Sequence, residues 1–163
     1  MEELKTRAFT AFLDLVNKDL QTAKKGKKSS EEDAKNASHA MESRYDSFRE
    51  EAEALAGGHE KIEAELEDAL SLLSKIKSEC IQVRSKIAAG ALITLEDIET
   101  GEESNYYVIP NGSGRKLNIE DTEFTCISPQ TPLGQKLIQK EEGDEVIHTV
   151  AGVRKTLEIT KVL

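Results

Sequence analysis

The sequence predicts an α+β protein, with an N-terminal antiparallel α-helical coiled-coil hairpin followed by an antiparallel β-sheet domain that carries one short helix. Two observations predict this class. Residues 1–86 contain no proline and three glycines, whereas residues 87–163 contain all three prolines and the other seven glycines. The spacing of apolar residues also changes, from the three-and-four alternation of a helix to the twofold alternation of a strand. We therefore predict two domains, 1–86 and 87–163.

Heptad seams dominate the first domain. Apolar or half-apolar side chains recur at spacings of three and four along two stretches. They are Phe9, Leu13, Val16, Leu20 and Ala23, and then Tyr45, Phe48, Ala52, Leu55, His59, Ile62, Leu66, Ala69, Leu73, Ile76, Cys80 and Val83. Neither seam alone offers enough apolar surface for a stable helix in water, so each is expected to bury against the other. The pattern predicts a helical hairpin.

Two positions are open for the turn of this hairpin. The stretch Lys24-Lys-Gly-Lys-Lys-Ser-Ser30 is polar and contains a glycine, and Ser30 with Asp33 resembles a capping box that would start a second helix. A turn between Asn36 and Ser43 instead balances the two arms and coincides with a break in the heptad register, so we favour it. Gly57-Gly58 lies in the second seam, where we expect the two backbones to approach closely.

Short strands and one helix are predicted in the second domain. The alternation of apolar residues indicates strands near 91–95, 106–109 and 124–127, with a turn at Pro110-Asn-Gly-Ser-Gly114. Thr131 as a cap with Pro132 at the first helical position predicts a helix that ends near Ile138. Residues 146–150 and 156–162, joined through Ala151-Gly152, predict a closing hairpin.

Composition and charge narrow the functional classes. The net charge of −9 repels nucleic-acid phosphates and anionic lipid, so we expect no autonomous DNA binding and no membrane partner. No apolar run approaches the roughly 20 residues of a transmembrane helix, and the N-terminus lacks a signal-peptide pattern, so a cytoplasmic protein is predicted. Cys80 and Cys126 are expected to be reduced, and the three scattered histidines predict no transition-metal site.

The second domain also contains motifs of a known family. Thr131-Pro-Leu-Gly134, the helix after it and Lys140-Glu-Glu-Gly-Asp-Glu-Val146 resemble the C-terminal domain of the GreA/GreB transcript-cleavage factors in order and spacing. The same holds for Leu92-Ile-Thr-Leu-Glu-Asp97 and Thr100-Gly-Glu-Glu103. In the first domain, Met41-Glu-Ser-Arg-Tyr-Asp46 and Ala54-Leu-Ala-Gly57 resemble short, divergent GreAB-like proteins. The chain thus resembles a divergent member of this transcription elongation factor family, whose second domain is FKBP-like.

This resemblance implies an accessory factor that is not itself an enzyme. In the family, the C-terminal domain docks on RNA polymerase at the mouth of the secondary channel, and the coiled coil reaches through the channel. The tip then modulates elongation or the cleavage of backtracked RNA, so the 3′ end of the nascent RNA is approached only indirectly. Thr131, Pro132, Leu133 and Gly134 are the implied docking residues.

Acidic residues at the tip carry the chemistry that the resemblance implies. They help to hold a catalytic Mg²⁺ of the polymerase, which is the one cofactor implied, since the factor has none of its own. Alignment makes Glu42, with Asp46 one turn later, the metal-positioning candidates. It also puts His39 where the family has an acid, and Ser43 where it has Asn. Glu31, Glu32 and Asp33 become the tip acids if the turn lies earlier.

Three alternatives stay open. The missing acid at His39 fits a channel-occluding inhibitor that does not stimulate cleavage. By analogy with FKBP, the second domain suggests peptidyl-prolyl isomerase activity as an alternative function. The absence of Trp and the small number of other aromatic residues argue against the apolar pocket that would bind proline. A coiled-coil adaptor without a catalytic target would share the hairpin but would not co-purify with polymerase.

Overall fold

Two long helices precede a six-stranded sheet and a short helix. The computed structural model describes residues 2–37, 45–112 and 114–163, without the side chains of 34, 36, 37, 45–49 and 150. The elements in chain order are α1 (Glu2–Ala37), α2 (Tyr45–Cys80), β1 (Ala91–Asp97), β2 (Glu103–Val108), β3 (Lys116–Ile119), β4 (Thr122–Ile127), α3 (Pro132–Leu137), β5 (Glu145–Val150) and β6 (Val153–Val162). The predicted α+β class is confirmed. None of the described helices is long and apolar enough to cross a membrane.

The chain divides into two compact units. The hairpin unit is Leu13–Leu72, and the sheet unit combines Met1–Phe12 with Leu73–Leu163. The sheet unit therefore includes the first turns of α1 and the last turns of α2 as well as the sheet. The domain boundary near residue 86 stays a prediction.

Within the hairpin unit, α1 and α2 run antiparallel. Lys24 Nζ lies 2.8 Å from Glu67 Oε1 and Lys27 Nζ lies 3.3 Å from Glu60 Oε1, so a step forward along α1 is a step backward along α2. The buried seam of this unit consists of Val16, Leu20, Ala23, Ala52, Leu66 and Ala69. The heptad pattern thus predicted the hairpin, but three residues of the predicted seam are wrong. Leu55 and Ile62 are 55% and 48% exposed, and Val83 is exposed and lies beyond the end of α2.

The helix bounds exclude one of the two predicted turn positions. Helix α1 runs without a break through residues 24–30, so a turn there, and the capping box at Ser30, are wrong. One glycine in a long helix costs only about 1 kcal/mol, which the packing of the seam offsets. The favoured turn, between Asn36 and Ser43, falls between the end of α1 and the start of α2, on residues that lie largely outside the described part.

The sheet has the strand order β3-β4-β2-β1-β6-β5. Neighbouring strands are antiparallel except β2 and β4, which are parallel, so the predicted all-antiparallel sheet has one exception. The reason is β3, a four-residue strand that the sequence did not predict. Glu120 and Asp121 both have positive φ, 49° and 66°, as in a type I′ hairpin. This turn puts β3 at the edge and returns β4 beside β2 in the same direction.

The two faces of the sheet are covered differently. On the face called here the α3 face, Leu133 and Leu137 of α3 pack with Ile93, Leu95 and Ile159. Because side chains alternate along a strand, Leu92, Thr94 and Glu96 of β1 lie on the opposite face. Tyr107, paired with Leu92, contacts Phe12 of α1 there. One end of the opposite face is therefore buried by the N-terminal residues.

Candidate functional site

The predicted tip carboxylates fall at the limit of the described chain. Glu42 lies outside the described residues, and Asp46 lies in the first turn of α2 with its side chain undescribed, so their roles stay predictions. Glu31, Glu32 and Asp33 are exposed on α1, which continues beyond them, so the earlier turn that would have made them tip acids is wrong. Among the described residues, no group of three or more His, Cys, Asp or Glu is placed to hold a metal ion.

A ladder of ion pairs joins the two helices of the hairpin unit. Lys24 contacts Glu67 at 2.8 Å and Glu63 at 3.8 Å, and Lys27 contacts Glu60 at 3.3 Å and Glu63 at 3.8 Å. The hydrogen bond to Glu67 raises the pKa of Lys24, and the hydrogen bond to Glu60 raises the pKa of Lys27. Glu63 thus lies between two ammonium groups. The ladder holds both lysines charged and helps to set the register of the helices.

The close approach between the helices lies at Gly26, not at Gly57-Gly58 as the sequence suggested. A Cβ added at Gly26 would lie 2.6 Å from Cε1 of His59, so the imidazole ring packs directly against the α1 backbone. A Cβ at Gly57 or Gly58 would have nothing within 4 Å. Both are exposed, so no packing explains why this stretch of α2 accepts two residues of poor helix propensity.

The predicted docking residues build a capped turn into α3. Thr131 Oγ1 accepts a hydrogen bond from the Gly134 amide at 3.1 Å and donates one to the Ser128 carbonyl at 2.8 Å. Leu133 and Gly134 are buried, and a Cβ at Gly134 would lie 2.1 Å from the Ser128 oxygen. Pro132 is exposed and Thr131 half-buried. A partner can therefore touch Pro132 and Thr131 directly, whereas Leu133 and Gly134 fix the geometry of the turn.

An ion pair on the α3 face, between the buried Asp97 and the half-exposed Lys155, was missed from the sequence. Asp97 is 4% exposed, and its Oδ2 accepts a hydrogen bond from Lys155 Nζ at 2.7 Å. That bond lowers the pKa of Asp97 and raises the pKa of Lys155. The alternation 91, 93, 95, 97 was the available signal, since it places Asp97 on the inward face. The pair borders a pocket of about 160 Å³ with Leu95, Tyr106 and Leu157, and its charges distinguish it from an apolar proline pocket.

Other buried polar groups lie where α1 and α2 join the sheet unit. Lys5 is 3% exposed and donates a hydrogen bond to the Gln82 carbonyl at 2.7 Å, and burial lowers its pKa. Cys80 and Cys126 are free and buried, and burial raises their pKa to about 11 and about 12. The buried Tyr107 hydroxyl has no hydrogen-bond partner in the described part of the chain.

Comparison with known proteins matches the C-terminal half of the chain to a protein family. Residues 82–163 match the family model described as transcription elongation factor, GreA/GreB, C-terminal. Transcription elongation factor GreA of Halorhodospira halophila is 31% identical over 72% of this chain and 68% of its own length. Transcription elongation factor GreA of Desulfotalea psychrophila is 30% identical over 62% of this chain and 60% of its own length.

Solved structures give a weaker likeness. The GreA factor homolog 1 (Gfh1) protein of Thermus thermophilus has 18% sequence identity and a TM-score of 0.39, over 97% of this chain and 94% of that chain. The relationship to the family rests on the sequence matches.

Proposed function

The chain belongs to the GreA/GreB family of transcription elongation factors, and from that membership we propose that it binds RNA polymerase at the secondary channel and acts through the tip of its hairpin. The observation that carries the proposal is the joining of a family-matched C-terminal region, 82–163, to an antiparallel helix pair. About 25 residues of α1 belong to the hairpin unit, which makes this arm roughly 37 Å long. A slender arm of that length suits a channel.

The proposed docking contact is the exposed start of α3. Pro132 and Thr131 offer surface, and the buried pair Leu133 and Gly134 holds that surface in one conformation. A rigid contact is useful here because a partner loses little affinity to ordering the turn.

The proposed chemistry at the tip belongs to Glu42, assisted by Asp46. Carboxylate oxygens are the ligands that Mg²⁺ prefers, and one or two protein carboxylates suffice because Mg²⁺ keeps several waters. In this proposal the polymerase supplies the RNA and the metal site, and this chain supplies the carboxylates and their placement. At two tip positions where the family has an acid and Asn, this chain has His39 and Ser43. We therefore expect the chain to occupy the channel and to stimulate cleavage weakly or not at all.

The test combines three measurements on one set of variants. Polymerase pull-down, cleavage of a backtracked complex and elongation rate are compared for the wild type, Glu42→Gln, Asp46→Asn and a shortened hairpin. Glu31→Gln is the matched control, since it removes one exposed carboxylate from α1. We expect polymerase binding in all of them. If cleavage is stimulated, Glu42→Gln should abolish most of it and Asp46→Asn less.

The outcomes separate the possibilities. A pure occluder gives no cleavage and slows elongation in proportion to hairpin length. Cleavage that survives loss of both Glu42 and Asp46 would show that the tip assignment is wrong. A wild-type chain that does not bind polymerase would overturn the proposed function and leave the coiled-coil adaptor.

A further inference from the structure

Four glutamates form a continuous row across the opposite face of the sheet. The strand registers pair Glu103 with Glu96, Glu96 with Glu158, and Glu158 with Glu145. Residues directly opposite each other in neighbouring strands point to the same face and lie about 5 Å apart. Glu103 and Glu145 are exposed, and Glu96 and Glu158 are half-exposed. We call this set the glutamate row.

The glutamate row works against the stability of the free protein. Like charges directly opposite each other in a sheet are destabilising. None of the four carboxylates forms an ion pair with any residue in the described ranges. On this face of β6 the nearest positively charged residues are Lys161 and Arg154. Lys161 pairs with Thr94 and Arg154 pairs with Thr149, so neither is directly opposite a glutamate of the row. A row of this kind fits a surface whose charges are neutralised by a partner.

Apolar and concave surface adjoins the row on both sides. Ile98 and Ile147 follow Glu96 and Glu145 at two-residue spacing and are 47% and 42% exposed. On the other side, Glu103 and Lys161 line a cavity of about 340 Å³ together with Leu92, Phe124 and Leu4 of α1. The glutamate row and the exposed isoleucines therefore share the end of the face that the N-terminal residues leave open, and the cavity lies where those residues begin to cover it.

We propose that this open face binds an amphipathic, basic α-helix of a partner protein. Four strands place the row over about 14 Å, with a step near 4.8 Å. On a helix, Lys or Arg residues three or four positions apart are separated by about 4.5 to 6 Å along the axis. Four such residues therefore match the spacing of the four glutamates. A neighbouring apolar stripe on that helix would contact Ile98 and Ile147.

Other occupants match the face less well. A strand laid across the row would present like-facing side chains about 6.8 Å apart, which does not match the step. Nucleic acids and anionic membranes are repelled by four carboxylates. The surface is separate from the tip and from Thr131–Gly134, so the inference does not depend on polymerase being the partner.

The test uses the full chain and a synthetic helix-stapled peptide. The peptide carries four Lys spaced by four, three and four residues, with Leu on the adjoining stripe, and the control peptide has Glu in place of Lys. At low salt the Lys peptide should bind, and Glu96→Gln/Glu158→Gln should weaken binding about tenfold. The same double variant should melt about 2 to 4 °C higher than the wild type without peptide, because it removes repulsion.

A matched variant separates the row from general charge. Glu99→Gln/Glu142→Gln removes the same charge from exposed positions outside the row and should change the affinity less than twofold. Three results would each overturn the proposal: equal binding of the Lys and Glu peptides, unchanged affinity in the row variant, or a row variant that melts below the wild type.

Discussion

The ring of Phe12 meets the ring of Tyr107 edge to face, with centroids 6.1 Å apart and planes at 75°. Both side chains are fully buried, one on the first helix and one on the second strand. The same helix contributes the hydrogen bond from Lys5 to the Gln82 carbonyl and an ion pair from Arg7 to Glu120. The first turns of α1 are thus part of the core of the sheet unit.

Phe12→Ala should lower the free energy of unfolding by about 3 to 5 kcal/mol, because it leaves a cavity against the Tyr107 ring. Urea denaturation followed by circular dichroism measures this. Leu55→Ala, at a position 55% exposed, is the control and should cost less than about 1 kcal/mol. Equal effects of the two substitutions would contradict the packing described here.

A fragment of residues 87–163 should be less stable than the intact chain, because it exposes Tyr107, Leu92 and Cys126 where Phe12 and its neighbours pack. Adding a peptide of residues 2–12 together with one of residues 73–86, which contains the end of α2, should restore part of the stability. Thermal melts with and without these segments measure this. A fragment that melts like the intact chain would support the boundary predicted at residue 86.

Glycine substitutions should have different effects at two positions in the hairpin. Gly58→Ala should stabilise by about 1 kcal/mol, since helix propensity improves and the site is open. Gly26→Ala should fall short of that gain by at least about 1 kcal/mol because of His59. In a His59→Ala background the gain at position 26 should return. If Gly26→Ala is as favourable as Gly58→Ala without that second change, the His59 contact is wrong.

The ion pair of Asp97 and Lys155 should make stability pH-dependent at both extremes. The pKa of Asp97 is lowered, so its contribution is present above about pH 4 and is lost as the pH falls through the native value. The pKa of Lys155 is raised, so its contribution is present below about pH 10.4 and is lost as the pH rises through the native value. The melting-temperature difference between wild type and Asp97→Asn should therefore be constant near neutrality and shrink below pH 4. A difference that does not depend on pH would exclude the pair as its cause.

Both cysteines should be unreactive in the native protein. With a pKa near 11, about one Cys80 thiol in a thousand is ionised at pH 8, and Cys126 is ionised still less. Colourimetric thiol titration with 5,5′-dithiobis(2-nitrobenzoic acid) should report no fast-reacting group until guanidinium unfolds the chain, when two appear. A fast native reaction would mean that one thiol is accessible.

Periodicity predicted the elements that bury one face against a single neighbour. The heptads of α1 and α2, the alternation of β1 and the Thr131-Pro132 start of α3 were each readable because local pattern and tertiary burial agree. The family motifs added the identity of the second domain.

Features that depend on two distant segments were not readable. Leu55 and Ile62 fit the heptad, but their exposure depends on where α1 lies beside them. His59 selects Gly26 over Gly57 and Gly58 through a contact between helices, which spacing along one helix does not encode. The glutamate row likewise exists only once four strands are aligned, since its members are scattered from residue 96 to residue 158.

The sheet unit combines Met1–Phe12 with Leu73–Leu163, and this affects the order in which its core forms during synthesis. Phe12 leaves the ribosome 95 residues before Tyr107, a delay of roughly 5 to 20 s at about 5 to 20 residues per second. During that interval the apolar face of the first three turns of α1 has no sheet to cover it. The hairpin helices are complete before the sheet begins, so we expect the nascent chain to form its long-range core last.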